Sequence, residues 1–186
     1  MNQRFQILAK LGEKIFHSSD LARLWGINSK NTLSVTLHRY VKQEYLYRVF
    51  KGFYSIMPVK KLDPKLLGIK AMHQFSYIST ETVLSEAGII QQLMPNITII
   101  SGKSKRFVIN EQSYQCRKLN DAHLYNPVGI QEINGYKLAS VTRALADLLY
   151  YNKLFHIDNQ NPIDWFALNE MQRNIGYPIT DRKLAK

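Results

Sequence analysis

Asn31, Thr32, Val35, His38, Arg39 and Lys42 lie together on one side of a helical wheel drawn for "KNTLSVTLHRYVK". The chemistry open to that set is the reading of nucleic-acid bases. Asn and Arg side chains pair bidentately with adenine and guanine edges, and Val35 or Thr32 can touch a thymine methyl. Ser29 and Lys30 stand at the start of the same stretch, where the free N–H groups of a helix attract phosphate. Arg48 and Lys51 follow in "LYRVFKGFYSI", a basic and aromatic hairpin pattern whose cations reach phosphates beside a groove.

Other chemistry finds less support in the residue pattern. Metal-dependent phosphodiester cleavage needs grouped carboxylates with a lysine. Glu132 and Lys137 in "EINGYK" flank an Asn-Gly turn, which predicts a cross-strand pair. Glu111 and Asp121 are scattered, and "SGKSKR" lacks the glycine pattern and helix context of a P-loop. The histidines at 17, 38, 73, 123 and 156 show no metal-ligand spacing. The single cysteine, Cys116, excludes an intrachain disulfide and sits in the alternating run "YQCRK", which predicts a buried, inert thiol. The reading is therefore of a non-enzymatic chain, with no catalytic residue, no metal and no cofactor. Lys103, Lys105, Arg106, Arg117 and Lys118 form a second basic cluster if their strands are neighbours. That cluster fits phosphate or RNA contacts, and equally edge-strand lysines that discourage aggregation.

The DNA-reading residues need a frame. Apolar spacing predicts a first helix over Gln3–Leu11 stopped by Gly12. A short second helix is capped by Ser18 or Ser19 and carries Leu21, Leu24 and Trp25. A turn at Gly26-Ile27 leads to a third helix from Lys30 to about Gln43. Leu33, Leu37, Tyr40 and Val41 form the apolar stripe of that third helix. Two short strands around Lys51-Gly52 follow. Helix, short helix, turn, helix and hairpin is the order of a winged helix-turn-helix, whose third helix enters the major groove. "PVKKLDP" discourages regular structure and predicts a linker.

Beyond it, helix and strand patterns alternate irregularly. "NITIISG", "KRFVIN" and "SYQCRKL" read as strands. "GIQEINGYKLAS" reads as a hairpin with a type I′ turn at Asn134-Gly135. "SVTRALADLLYY" is a helix capped by Ser140, with Arg143 and Asp147 at the i, i+4 spacing that lets them pair, weakly if exposed, and "NPIDWFALNEMQRNI" is a last helix. The tail "GYPITDRKLAK" reads as polar and mobile. The fold class is α+β: a winged helix-turn-helix at 1–57, a linker at 58–68, and a mixed α+β domain at 69–186.

Composition agrees with an anionic partner. The 186-residue chain carries a net charge of +11, and residues 1–60 hold ten Lys and Arg against three Asp and Glu. The N-terminal residues lack the pattern of a signal peptide, and no apolar run reaches the roughly 18 residues of a membrane helix. A cytoplasmic location without membrane contact is expected.

"YISTETVLSEAGII" followed by "YKLASVTRALADLLYY", behind the winged-helix pattern, resembles the AbiEi-type antitoxins of type IV toxin–antitoxin and abortive-infection systems. The resemblance rests on "VFKGFYSI", on Tyr77, Ile78 and Ser79, and on Ala139, Ser140, Arg143, Ala144 and Asp147, and covers roughly residues 1–155. The chain departs from the family in lacking a Gly between third helix and hairpin, and in having Val141-Thr142 where Pro-Glu is usual. The resemblance implies a repressor of its own operon that binds double-stranded DNA at inverted repeats in its promoter. It also implies an antitoxin that counteracts a nucleotidyltransferase-like toxin without a stable complex. A stand-alone winged-helix transcription factor, with a ligand-sensing or dimerising second domain, fits the local residue patterns as well. On either reading, Arg39→Ala or Lys51→Ala weakens DNA binding.

Overall fold

The computed structural model describes residues 3–50, 52–92 and 94–180. The chain is mixed α and β, with eight α-helices and two sheets among the described residues. It divides into two compact units, Met1–His73 with Ile109–Glu111, and Gln74–Val108 with Gln112–Lys186. No helix among the described residues is long and apolar enough to cross a membrane.

The first unit starts with α1 (Gln3–Lys10) and β1 (Ile15–His17), then α2 (Ser18–Leu24) and α3 (Lys30–Lys42). The hairpin strands β2 (Tyr47–Phe50) and β3 (Phe53–Ser55) follow. Leu8, Phe16, Leu21, Trp25, Ile27, Leu37, Tyr40 and Leu46 form its core, with Leu33 and Val41 packed against it. The apolar stripe expected for the third helix is therefore the face that α3 buries. Trp25 and Tyr40 meet edge to face at 5.2 Å, a geometry that suits the ring quadrupoles.

Two details differ from the expectation. A three-stranded sheet, ordered β1-β3-β2, replaces an isolated hairpin, because Ile15–His17 pairs antiparallel with Phe53–Ser55. Three residues are too few to show alternation in a sequence. The start of α2 is also tied differently. The Ser18 N–H donates to the Gly52 carbonyl at 2.9 Å, and the His17 N–H donates to the Asp20 carboxylate at 3.3 Å. His17 is thus the capping position rather than Ser18 or Ser19.

The stretch 58–68, expected as a linker, holds a 3-10 turn at Val59–Lys61 and the start of α4 (Pro64–Met72). Asp63 caps α4 by accepting from the Lys65 N–H at 2.8 Å, and Pro64 occupies the first helical position, where no N–H is needed. The His17 ring lies 2.7 Å from the Lys70 carbonyl and stacks on His73 at 3.8 Å. Two histidines that look isolated along the chain are thus neighbours in space.

The second unit is built on a six-stranded sheet in the order β6-β7-β5-β4-β9-β8. Its strands are β4 (Ser76–Ile78), β5 (Asn96–Ser101), β6 (Lys105–Ile109), β7 (Gln112–Lys118), β8 (Ile130–Ile133) and β9 (Tyr136–Ala139). The sheet is mixed: β5 runs parallel to β7 and antiparallel to β4, and β4 runs parallel to β9. Helices α5 (Glu81–Glu86), α6 (Asp121–Leu124), α7 (Val141–Tyr151) and α8 (Trp165–Ile175) complete the unit. The β8–β9 turn has φ of 53° at Asn134 and 82° at Gly135, the signs a type I′ turn requires. Glu132 faces Lys137 across it, with N to O at 3.7 Å, as the spacing predicts.

Candidate nucleic-acid interface

Helix α3 begins where Ser29 accepts the Thr32 N–H at 3.4 Å. From that cap, the helical period sends Leu37 and Tyr40 inward. Ser29, Lys30, Asn31, Thr32, Val35, His38, Arg39 and Lys42 are all exposed. Val35 is 69% exposed among polar neighbours, so an apolar methyl-bearing side chain is presented to solvent on a basic face. The helix contains no acidic residue, and among the described residues no carboxylate pairs with Lys30, Arg39, Lys42 or Arg48. An open cleft of about 410 Å³ runs between α3 and the hairpin, with Leu33, Leu37 and Val41 lining it alongside Lys30, His38 and Arg48. Nine of the ten residues expected to meet DNA thus lie on or beside one exposed surface of α3 and β2; the tenth, Lys51, lies outside the described residues.

The residues of the second basic cluster lie on neighbouring strands, where alternation puts Lys105 on the Phe107/Tyr114 face of the sheet and Arg117 on the opposite, Tyr151 face. Strands β6 and β7 are neighbours, and Lys105, Arg106, Arg117 and Lys118 line a cleft of about 490 Å³; Lys103 is exposed but not part of that lining. Cys116 also lines it, largely buried, and burial pushes its thiol up to about 11 while Lys105 pulls it down. That leaves the thiol protonated at neutral pH. No group of three or more His, Cys, Asp or Glu among the described residues could hold a metal ion.

The residues that carry the family resemblance meet at a third place. Arg143 and Asp147 do pair, with Nε to Oδ1 at 3.0 Å, but both side chains are 0% exposed. The pairing agrees with the i, i+4 spacing, but α7 packs its Arg143–Asp147 edge inward, so the pair is buried and not of the weak exposed kind. All five guanidinium N–H groups find acceptors. Nε donates to Asp147, Nη1 to the carbonyls of Asn126 (3.1 Å) and Val128 (2.9 Å), and Nη2 to Tyr77 Oη (2.9 Å) and the His123 carbonyl (3.2 Å). The carboxylate is equally engaged. Its Oδ1 accepts from Arg143 and from Tyr177 Oη at 2.7 Å, and its Oδ2 accepts from Ser79 Oγ at 2.7 Å and Tyr77 Oη at 3.0 Å. Burial pushes the Asp147 carboxyl above its ordinary range, while Arg143 and the three hydroxyls pull it back. Tyr177 was missed: it falls in the tail expected to be polar and mobile, yet it is buried. A lone Tyr beyond the last predicted helix carries no pattern that would reveal this.

The network leaves no room beside it. Gly129 has φ of +73°, and a Cβ there would meet Arg143 Cβ at 2.8 Å and Met171 Cε at 2.9 Å. We expect Gly129→Ala to destabilise the second unit by about 1–3 kcal/mol, from overpacking and backbone strain. Hydrogen exchange of α7 and α8 peptides checks this, and unchanged protection would refute it.

Burial first, and the charge of Asp147 second, push the hydroxyls of Tyr77, Tyr151 and Tyr177 well above their usual range. The unfolded chain releases these protons near pH 10, about the ordinary tyrosine value, and the folded chain does not. Above that pH the unfolded state binds fewer protons, so stability falls as pH rises, by up to about 1.4 kcal/mol per pH unit for each tyrosine. Denaturant titrations between pH 8 and 11 should show that decline, and Tyr177→Phe should make it shallower. A flat profile to pH 11 would count against the buried hydroxyls.

No family model matches the chain, and no curated protein matches it.

Proposed function

We propose that the first unit is a winged helix-turn-helix that binds double-stranded DNA, with α3 in the major groove and the β2–β3 hairpin as the wing. The observation that carries this reading is the α3 face itself: Asn31, Thr32, Val35, His38, Arg39 and Lys42 exposed together, unpaired with acid, opposite a buried apolar stripe. A solvated helix face needs no exposed valine; a thymine methyl gives it a partner. Arg48 stands across the cleft from α3, where a wing cation meets the flanking phosphate.

With the sequence resemblance, the fuller reading is a cytoplasmic autoregulator of the AbiEi antitoxin type. It represses its own operon at inverted repeats and counteracts a nucleotidyltransferase-like toxin without a stable complex. The test is a gel-shift titration of the full chain on its own upstream DNA at two salt concentrations, with unrelated duplex as competitor. Specific binding that survives competitor, together with toxicity of a neighbouring gene relieved by this chain, supports both halves. Binding that unrelated duplex removes equally would reject the promoter reading. A non-toxic neighbour would reject the antitoxin half alone.

A further inference from the structure

We infer that the cleft between α3 and the β2–β3 hairpin binds a small amphipathic carboxylate, an apolar body with one anionic end, and that its occupation releases DNA. The release rests on the DNA reading; the site itself does not.

The two walls face each other by construction. Lys30, Leu33, Ser34, Leu37, His38 and Val41 are spaced i, i+3, i+4, i+7, i+8 and i+11, so one side of α3 carries them all. On the other wall, Arg48 and Tyr54 are cross-strand partners, which puts both on the same face of the β2–β3 ribbon. The Ser18 N–H donates to the Gly52 carbonyl at 2.9 Å and ties the turn of that ribbon to the start of α2. The second wall is therefore held in place.

The floor is apolar and only half-covered. Leu37 is buried, while Leu33, Val41 and Tyr54 pack against the core on one side and keep the other side open to the cleft. The rim is basic. Lys30 and Arg48 are exposed there with the His38 imidazole and the Ser34 hydroxyl, and the lining contains no acid. Duplex DNA accounts for the cations and not for the floor. Asn31, Val35, Arg39 and Lys42 lie about a third of a turn round the helix from the cleft stripe. Base edges and phosphates offer little to cover three half-open apolar side chains. A cleft of about 410 Å³ is of small-molecule size. An apolar body on Leu33, Val41 and Tyr54 covers that surface, and its carboxylate meets Arg48, whose planar fork takes both oxygens. The cation it engages is one that a duplex needs for phosphate, so ligand and DNA exclude each other.

Calorimetric titration of the full chain with 2-naphthoate, octanoate and their neutral amides tests the site without DNA. One carboxylate per chain is expected. Each amide should bind about tenfold more weakly, and Arg48→Ala should weaken the carboxylate about tenfold, the worth of one charge-assisted contact. Ser34→Phe, at an exposed position on the cleft wall, should fill the space and abolish binding, whereas Lys105→Ala in the second unit should change nothing. Tighter 2-naphthoate assigns an aromatic ligand and tighter octanoate an aliphatic one; both support the site. No saturable binding of either carboxylate, amides that bind as tightly, or undiminished binding by both Arg48→Ala and Ser34→Phe would overturn it. Fluorescence anisotropy on the upstream duplex then reads release: carboxylate at about ten times its Kd should weaken the duplex about tenfold. Unchanged duplex affinity with the carboxylate bound would overturn the release. A chain that binds no duplex rejects the DNA reading and the release with it, while the calorimetric result still decides the site.

Discussion

Asp147→Ala should destabilise the second unit by about 3–5 kcal/mol, the cost of leaving a buried cation without its counter-ion. The geometry gives the reason. Arg143 is 0% exposed, and the substitution strips Nε of its acceptor while Tyr77, Ser79 and Tyr177 each lose the oxygen that took their hydroxyl proton. Three hydroxyls and the guanidinium Nε would lose their acceptors in one small volume. Water is the only substitute, and the packing around Gly129 leaves little space for it. The double variant Arg143→Met/Asp147→Leu removes the charges together and should recover a large part of the loss, because the desolvation cost of the pair goes with it. Hydrogen exchange on the full chain separates the two units, so protection should fall in β4, α7 and the 176–180 segment while α1–α3 stay protected. A loss under about 1 kcal/mol for Asp147→Ala would mean that the pair holds little.

That network also shows what a sequence can and cannot carry. The helix α3, its buried stripe and its exposed basic face are local properties with a 3.6-residue period, so they are legible directly, whereas the cap falls on Ser29 where the sequence offers Asn28 equally. The Asn134-Gly135 hairpin is legible for the same reason, since its turn chemistry is confined to two residues. The Arg143–Asp147 spacing is legible too, but its burial is not. An i, i+4 ion pair looks the same on paper whether it faces water or Tyr77, and Tyr77 stands 70 residues away from Asp147. Tyr177, 30 residues beyond Asp147, is invisible on the same grounds. Strand β1 escapes notice because three residues hold too little pattern, and its partner is supplied by the hairpin. The β6–β7 basic cleft is intermediate. Its residues are evident from charge, but their placement on adjacent strands depends on β6 and β7 being neighbours, and the anchoring of Arg117 depends on Glu81, 36 residues away.

The DNA-binding proposal commits the α3 face to residue-specific outcomes. Arg39→Ala is expected to cost about 1–3 kcal/mol in specific binding if the guanidinium reads a base, and to relax discrimination at one position of the operator. Arg48→Ala, across the cleft, is expected to weaken specific and unrelated duplexes alike and to lower the salt slope by about one. The two residues differ because α3 presents Arg39 among Asn31, Val35 and Lys42, whereas Arg48 lies on a strand beside the helix. Val35→Ala should act like neither. It removes methyl contact without changing charge, so affinity should drop modestly at unchanged salt slope, with the loss confined to a thymine-bearing site. The same three variants should leave the chain folded, since each side chain is exposed and none contributes to the core. Fluorescence anisotropy across a salt series, on operator and scrambled duplex, reads all three. Equal losses for Arg39→Ala and Arg48→Ala on both duplexes would reduce α3 to a phosphate-binding face. No loss for any of the three would remove α3 from the interface.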